Sequence, residues 1–124
     1  MNEILKHLTT DEDGMMTYDY IVNHVDVCCE DMDALVDKLL EVDHTGQFLA
    51  SSARYLNAVD TERFHPHIGR LVEGAICCDR ERKYISSLLE ALWGEGYRQR
   101  ADELSMTDDN FRRIYKRVYA ESVM

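Results

Sequence analysis

Apolar residues recur at three-and-four spacing along almost the whole chain, and runs alternating β-branched with polar residues are absent, so the pattern predicts helices throughout. Tyr18, Ile21, Val22, Val25, Cys28 and Cys29 form a first stripe, and Leu35, Val36, Leu39 and Leu40 a second. Phe48, Leu49, Ala53 and Leu56 mark a third helix from about Gln47 to Asn57. A connector from Asp60 to His65 then leads to Pro66, which suits a first helical turn because its missing amide hydrogen is not needed there. Ile68, Leu71, Val72, Ala75 and Ile76 carry that helix on to Cys78, and Tyr84, Ile85, Leu88, Leu89 and Leu92 make the next. A shorter, more charged element follows from about Glu95 to Leu104.

The last helix has the cleanest division, with Phe111, Ile114, Tyr115, Val118 and Tyr119 on one face and Arg112, Arg113, Lys116 and Arg117 opposite. Thr107 can cap it, and Asp108 and Asp109 in its first turn favour its dipole. Gly46 and Gly94 fall where left-handed caps are expected. Gly69 and Gly74 lie inside a helix at about 1 kcal/mol each relative to alanine, which a close helix crossing or a break at Gly74 would compensate.

A double cysteine occurs twice, 49 positions apart, and leads each time into one helical phrase: Cys28-Cys29-Glu30 to Leu39-Leu40-Glu41, and Cys77-Cys78-Asp79 to Leu88-Leu89-Glu90. Apolar positions keep their character (Val27 and Ile76, Val36 and Ile85, Phe48 and Tyr97), whereas polar ones drift (Lys38 and Ser87). A repeat kept at packing positions argues for duplicated architecture rather than duplicated chemistry. The expected fold is all-α, a compact bundle or short helical-repeat stack of about six or seven helices, in one domain over 1–124. Its internal units span about 15–58 and 64–105, and a C-terminal capping helix spans about 108–121. The Trp, Gly, Tyr, Ala and Pro landmarks of the common helical repeats are missing.

At 124 residues, 45% of them hydrophobic and 31% charged, the chain suffices for one core and is too apolar for disorder. No secretory signal and no membrane-spanning run is read, which makes a cytoplasmic protein with free cysteines the expectation. The net charge of −10 is uneven: residues 1–62 hold 14 Asp and Glu against 3 Lys and Arg, while residues 63–124 hold 10 against 11. Such a field disfavours nucleic acid and anionic lipid over the first half and favours a basic protein partner, within about 10 Å at ordinary salt.

Candidate chemistry is sparse. Adjacent helical cysteines point about 100° apart and cannot readily share a metal or a bond, so packing is their expected role, with little reaction of the native thiols. His65 and His67 flank Pro66 and, in an extended segment, would project to one side as a pair of metal ligands; His24 and Cys28 are a weaker pair at helical spacing. No phosphate loop or nucleophile elbow occurs, and the many carboxylates lack any pattern that marks one for acid-base work. No cofactor is called for.

The preferred reading is a non-enzymatic adaptor or regulatory domain. Its contact surfaces are Asp26, Glu30, Asp31, Asp33 and Asp37 in the acidic half, and Arg112, Arg113, Lys116 and Arg117 on the last helix. The alternatives are a metal-binding protein or metal-dependent enzyme using His65 and His67, and an acidic decoy for a basic nucleic-acid-binding protein. The basic helix can approach the acidic half within one molecule or across a weak homodimer, which would need an apolar seam from residues such as Tyr119 and Val123.

Overall fold

A computed structural model describes residues 8–27 and 29–119. The described chain is all-helical: α1 Met15–His24, a 3-10 turn Cys29–Asp31, α2 Met32–Val42, α3 Gln47–Cys78, α4 Ser86–Trp93, α5 Ala101–Thr107 and α6 Asp109–Tyr119. The long α3 is the spine, in contact with α1, α2, α4 and α6, and α5 packs on α6.

The apolar stripes become the core. Ile21, Leu35, Val36 and Leu39 meet Leu49, Ala53, Leu56, Leu71 and Ile76, and Ile85, Leu88, Phe111 and Ile114 extend the same cluster. Each such Val, Leu, Ile or Phe side chain contributes about 1.5–3 kcal/mol over leaving it in water. Gly74 sits where α2 crosses α3; a Cβ there would run into the Leu40 side chain and stand 3.2 Å from Leu49 Cδ1, so the close crossing expected of this glycine is present. Gly46 and Gly94 both take positive φ, 86° and 90°.

Three departures from the sequence pattern have local causes. The connector expected from Asp60 to His65 is helical instead: only Asp60 itself leaves helical geometry (φ −166°, ψ 96°), and its carboxylate accepts the Arg63 amide at 3.1 Å. Asp60 is thus the N-cap of a second helical segment, 61–78, nearly continuous with the first. Pro66 lies in the second turn of that segment and not the first, and Glu62, four positions before it, is an exposed residue.

The first helix ends at His24, whose ring Nδ1 lies 3.1 Å from the Tyr20 carbonyl while the ring stacks on Tyr20; Val25 is still buried in the core, but the chain turns over 25–27 and Val27 is exposed. The charged element expected from Glu95 begins only at Ala101, because Gly94 and the turn after it, tied by the Tyr97 amide to the Gly94 carbonyl at 3.2 Å, occupy 94–100.

Candidate functional site

Aspartates organise the helix starts. Asp11, Asp43 and Asp79 are buried, 2–4% exposed, and each turns its carboxylate onto amides that open the next element. Asp11 accepts Gly14 N at 2.9 Å, Thr17 N at 2.9 Å and the Thr17 hydroxyl at 2.6 Å. Asp43 accepts Gly46 N at 3.0 Å and Phe48 N and Leu49 N at 2.8 Å; Asp79 accepts Lys83 N at 3.0 Å, Tyr84 N at 2.6 Å and Ile85 N at 2.8 Å. A buried carboxylate that accepts three or more local donors is a structural clamp, with most of its lone pairs spent on the fold.

Burial pushes the Asp11 carboxyl pKa up, but hydrogen bonds from Thr17, Gly14 and Asp13 outweigh it and hold it below its ordinary value of 3.8. The folded state therefore releases this proton more readily than the unfolded chain. Its contribution to stability is complete above 3.8 and is lost as pH falls through the depressed folded value. Asp11→Asn is expected to flatten the acid limb of the stability curve below about pH 4 relative to the parent protein, read from urea midpoints across pH.

Five acidic residues of the first half occupy the stretch from the end of α1 into α2. Asp26 and Glu30 are exposed around the turn after α1, Asp31 is half-buried at the N-cap of α2, and Asp33 and Asp37 stand one turn apart on α2. Arg70 of α3 reaches both Asp33, at 3.3 Å, and Asp37. These carboxylates stay open to water, with the Asp33 side chain 79% and the Asp37 side chain 65% exposed.

His65 and His67 do not converge. Both are on α3, two positions apart and so on different faces of a helix. His67 is half-buried with Nδ1 3.2 Å from Asp33 Oδ1 but without a formed hydrogen bond, while His65 is exposed and lines a separate cleft. Among the described residues no group of three or more His, Cys, Asp or Glu is placed to hold a metal ion.

Cys77 and Cys78 close α3, and Cys29 opens the 3-10 turn; Cys28, and with it the His24 and Cys28 pair, lies outside the described residues. Burial pushes the Cys78 thiol pKa up, reinforced by Asp43 and Cys77, which makes it a poor nucleophile. Cys77 is exposed, contrary to the expectation of uniformly unreactive thiols, because it falls on the solvent side of the last turn. Native protein is expected to label rapidly at Cys77 and slowly at Cys78, as mass spectrometry of timed alkylation would show.

The three arginines of α6 turn to α3 and to their own helix. Arg117 donates to the Ile76 carbonyl in the last turn of α3, where a cation also complements the dipole, Arg113 approaches Cys77 Sγ at 4.0 Å, and Arg112 pairs with Asp109. Lys116 is exposed. Asp108, and not Thr107, caps the helix: its Oδ1 accepts the Phe111 amide at 3.2 Å, whereas the Thr107 hydroxyl donates back to Glu103. Tyr119 packs on Tyr115 and shares a 2.7 Å hydrogen bond with Tyr97, whose pKa this bond and burial push up to about 12. Val123 lies outside the described residues.

One cleft was not legible in the sequence. A cleft of about 540 Å³ lies between the second segment of α3, the end of α4 and the start of α6. Ile68, Val72, Leu92 and Trp93 give its apolar lining; Asn57, Thr61 and His65 line it from α3, and Thr107 to Asn110 from the α5–α6 junction. Gly69 also lines it, and a Cβ there would meet nothing within 4 Å. Gly69→Ala is accordingly expected to raise stability by about 0.5–1 kcal/mol, since it removes backbone freedom from the unfolded chain at no steric cost; thermal unfolding measures it.

The architecture thus defines an all-helical protein, and no described helix is long and apolar enough to cross a membrane. No protein-family model, curated protein or solved structure matches the chain.

Proposed function

We propose that this protein is a non-enzymatic interaction domain whose acidic first half contacts a basic protein partner, as an adaptor or regulator. The observation that carries the reading is the set of carboxylates from the end of α1 into α2. Asp26, Glu30, Asp33 and Asp37 are exposed; Arg70 is placed against both Asp33 and Asp37, and the His67 ring lies against Asp33. Clustered, hydrated carboxylates steer a cationic surface and set its orientation more than they add affinity. Of the α6 cations, Arg117 and Arg113 turn to α3 and Arg112 pairs within α6, which supports the acidic residues as the primary contact surface.

The test uses a defined lysine- and arginine-rich peptide and titration calorimetry over a salt series. Neutralising Asp26, Glu30 and Asp37 as Asp26→Asn, Glu30→Gln and Asp37→Asn should weaken binding at least tenfold and flatten its salt dependence, whereas Lys116→Gln should leave it unchanged. Binding unaffected by the triple substitution would sink the assignment of this face.

A further inference from the structure

We propose that the cleft between α3, α4 and α6 is a binding site for an organic cation, an ammonium or guanidinium group carried on a short aliphatic body. The inference stands independently of the acidic-face reading.

Three observations lead to it. The first is Gly69. A glycine inside a helix costs about 1 kcal/mol relative to alanine. Gly74, five positions on, has a packing reason for its missing side chain, but Gly69 has none: the space over it is open, and that space is the cleft. Any larger residue would project into the volume, so the glycine keeps the cleft empty at the expense of helix stability.

The second is the charge of the lining. Asp108 and Asp109 line the cleft, and none of the described lining residues is Lys or Arg. Asp109 is paired with Arg112. Asp108 is half-buried, and its two oxygens accept only neutral donors, Trp93 Nε1 at 2.9 Å and the Phe111 amide at 3.2 Å. A carboxylate has about four acceptor positions, so Asp108 retains room for further donors. An anionic ligand would meet that carboxylate with no compensating cation.

The third is Trp93, whose indole is fixed beside this carboxylate by its own hydrogen bond and by edge-on contact with Phe111 at 5.2 Å between ring centres. An indole next to a carboxylate is a strong combination for a desolvated organic cation, because the ring face attracts the charge while Ile68, Val72 and Leu92 take the aliphatic part. The volume lies in the range of small-molecule sites, about 300–1,000 Å³.

Trp93 is the single tryptophan, so its emission reports on the cleft directly. The intact protein would be titrated with pentylammonium, pentylguanidinium, 1-pentanol and pentanoate at constant ionic strength. A saturable change with the two cations, at least tenfold weaker for the alcohol and absent for pentanoate, is expected. Gly69→Met should abolish it while leaving the fold intact by circular dichroism, and Asp108→Asn, which keeps a capping oxygen, should weaken it about tenfold. Amide chemical shifts of the parent protein supply a readout without substitution: pentylammonium should move Ile68, Gly69 and Asp108 to Asn110. Comparing cadaverine with N-acetyl-lysinamide distinguishes a free amine from a lysine side chain as the source of the cation. Equal response to pentanol and pentylammonium, shifts confined to other residues, or undiminished binding by folded Gly69→Met would each overturn the proposal.

Discussion

Asp79→Ala is expected to lower stability by about 2–4 kcal/mol, measured as the shift in urea midpoint at constant slope. The carboxylate is 3% exposed and accepts three successive backbone amides, Lys83, Tyr84 and Ile85, between the end of α3 and the start of α4. Alanine would leave those donors without a partner, and the Ile85 amide, in a fully buried residue, would have no water to replace it. The cost exceeds that of an ordinary exposed cap because one side chain serves several buried donors. Asp79→Asn should cost less, since its remaining oxygen can still accept from the closest amides. Equal losses for the two variants would show that charge, and not hydrogen bonding, governs the junction.

Phe111→Ala should cost about 3–5 kcal/mol, the range for removing a fully buried aromatic ring. Phe111 is 0% exposed and holds α6 to the rest of the molecule through Trp93 at 5.2 Å and Tyr97 at 6.2 Å between ring centres, while it stacks on Tyr115 of its own helix at 5.3 Å. Its loss should be visible twice, in the unfolding midpoint and in a red shift of Trp93 emission as water reaches the indole. By contrast Tyr115→Ala, at a half-buried position, should cost distinctly less.

Helix type and core were legible in the sequence because burial imposes a period: Ile21, Leu35, Leu39, Leu49, Leu71, Leu88 and Phe111 all fall on apolar stripes and all are buried. Gly46 and Gly94 were legible because positive φ selects glycine. The aspartates were harder to read. Asp11, Asp43 and Asp79 look like members of a solvated acidic population, and only the backbone geometry separates a buried clamp from a surface charge. Asp60 shows the same limit, since a capping aspartate and a loop aspartate are the same letter, and the proline that followed suggested a connector.

The histidines misled for a related reason: side-by-side projection requires extended backbone, and the helix through His65 and His67 sends them to different faces. The cleft was invisible because its lining comes from residues as far apart as Asn57 and Asn110, and because the informative residue, Gly69, contributes an absence of side chain.

The central claim, that this domain acts by offering its acidic first half to a basic partner, is tested most directly by mapping where such a partner lands. Amide chemical shifts would be followed while the lysine- and arginine-rich peptide is added to the intact protein at low salt and again at high salt. The account predicts perturbation concentrated at Asp26, Glu30 and the Asp33–Asp37 turn of α2, fading as salt rises. Unmoved amides along that stretch, with shifts confined to the Trp93 cleft or to α6, would contradict it.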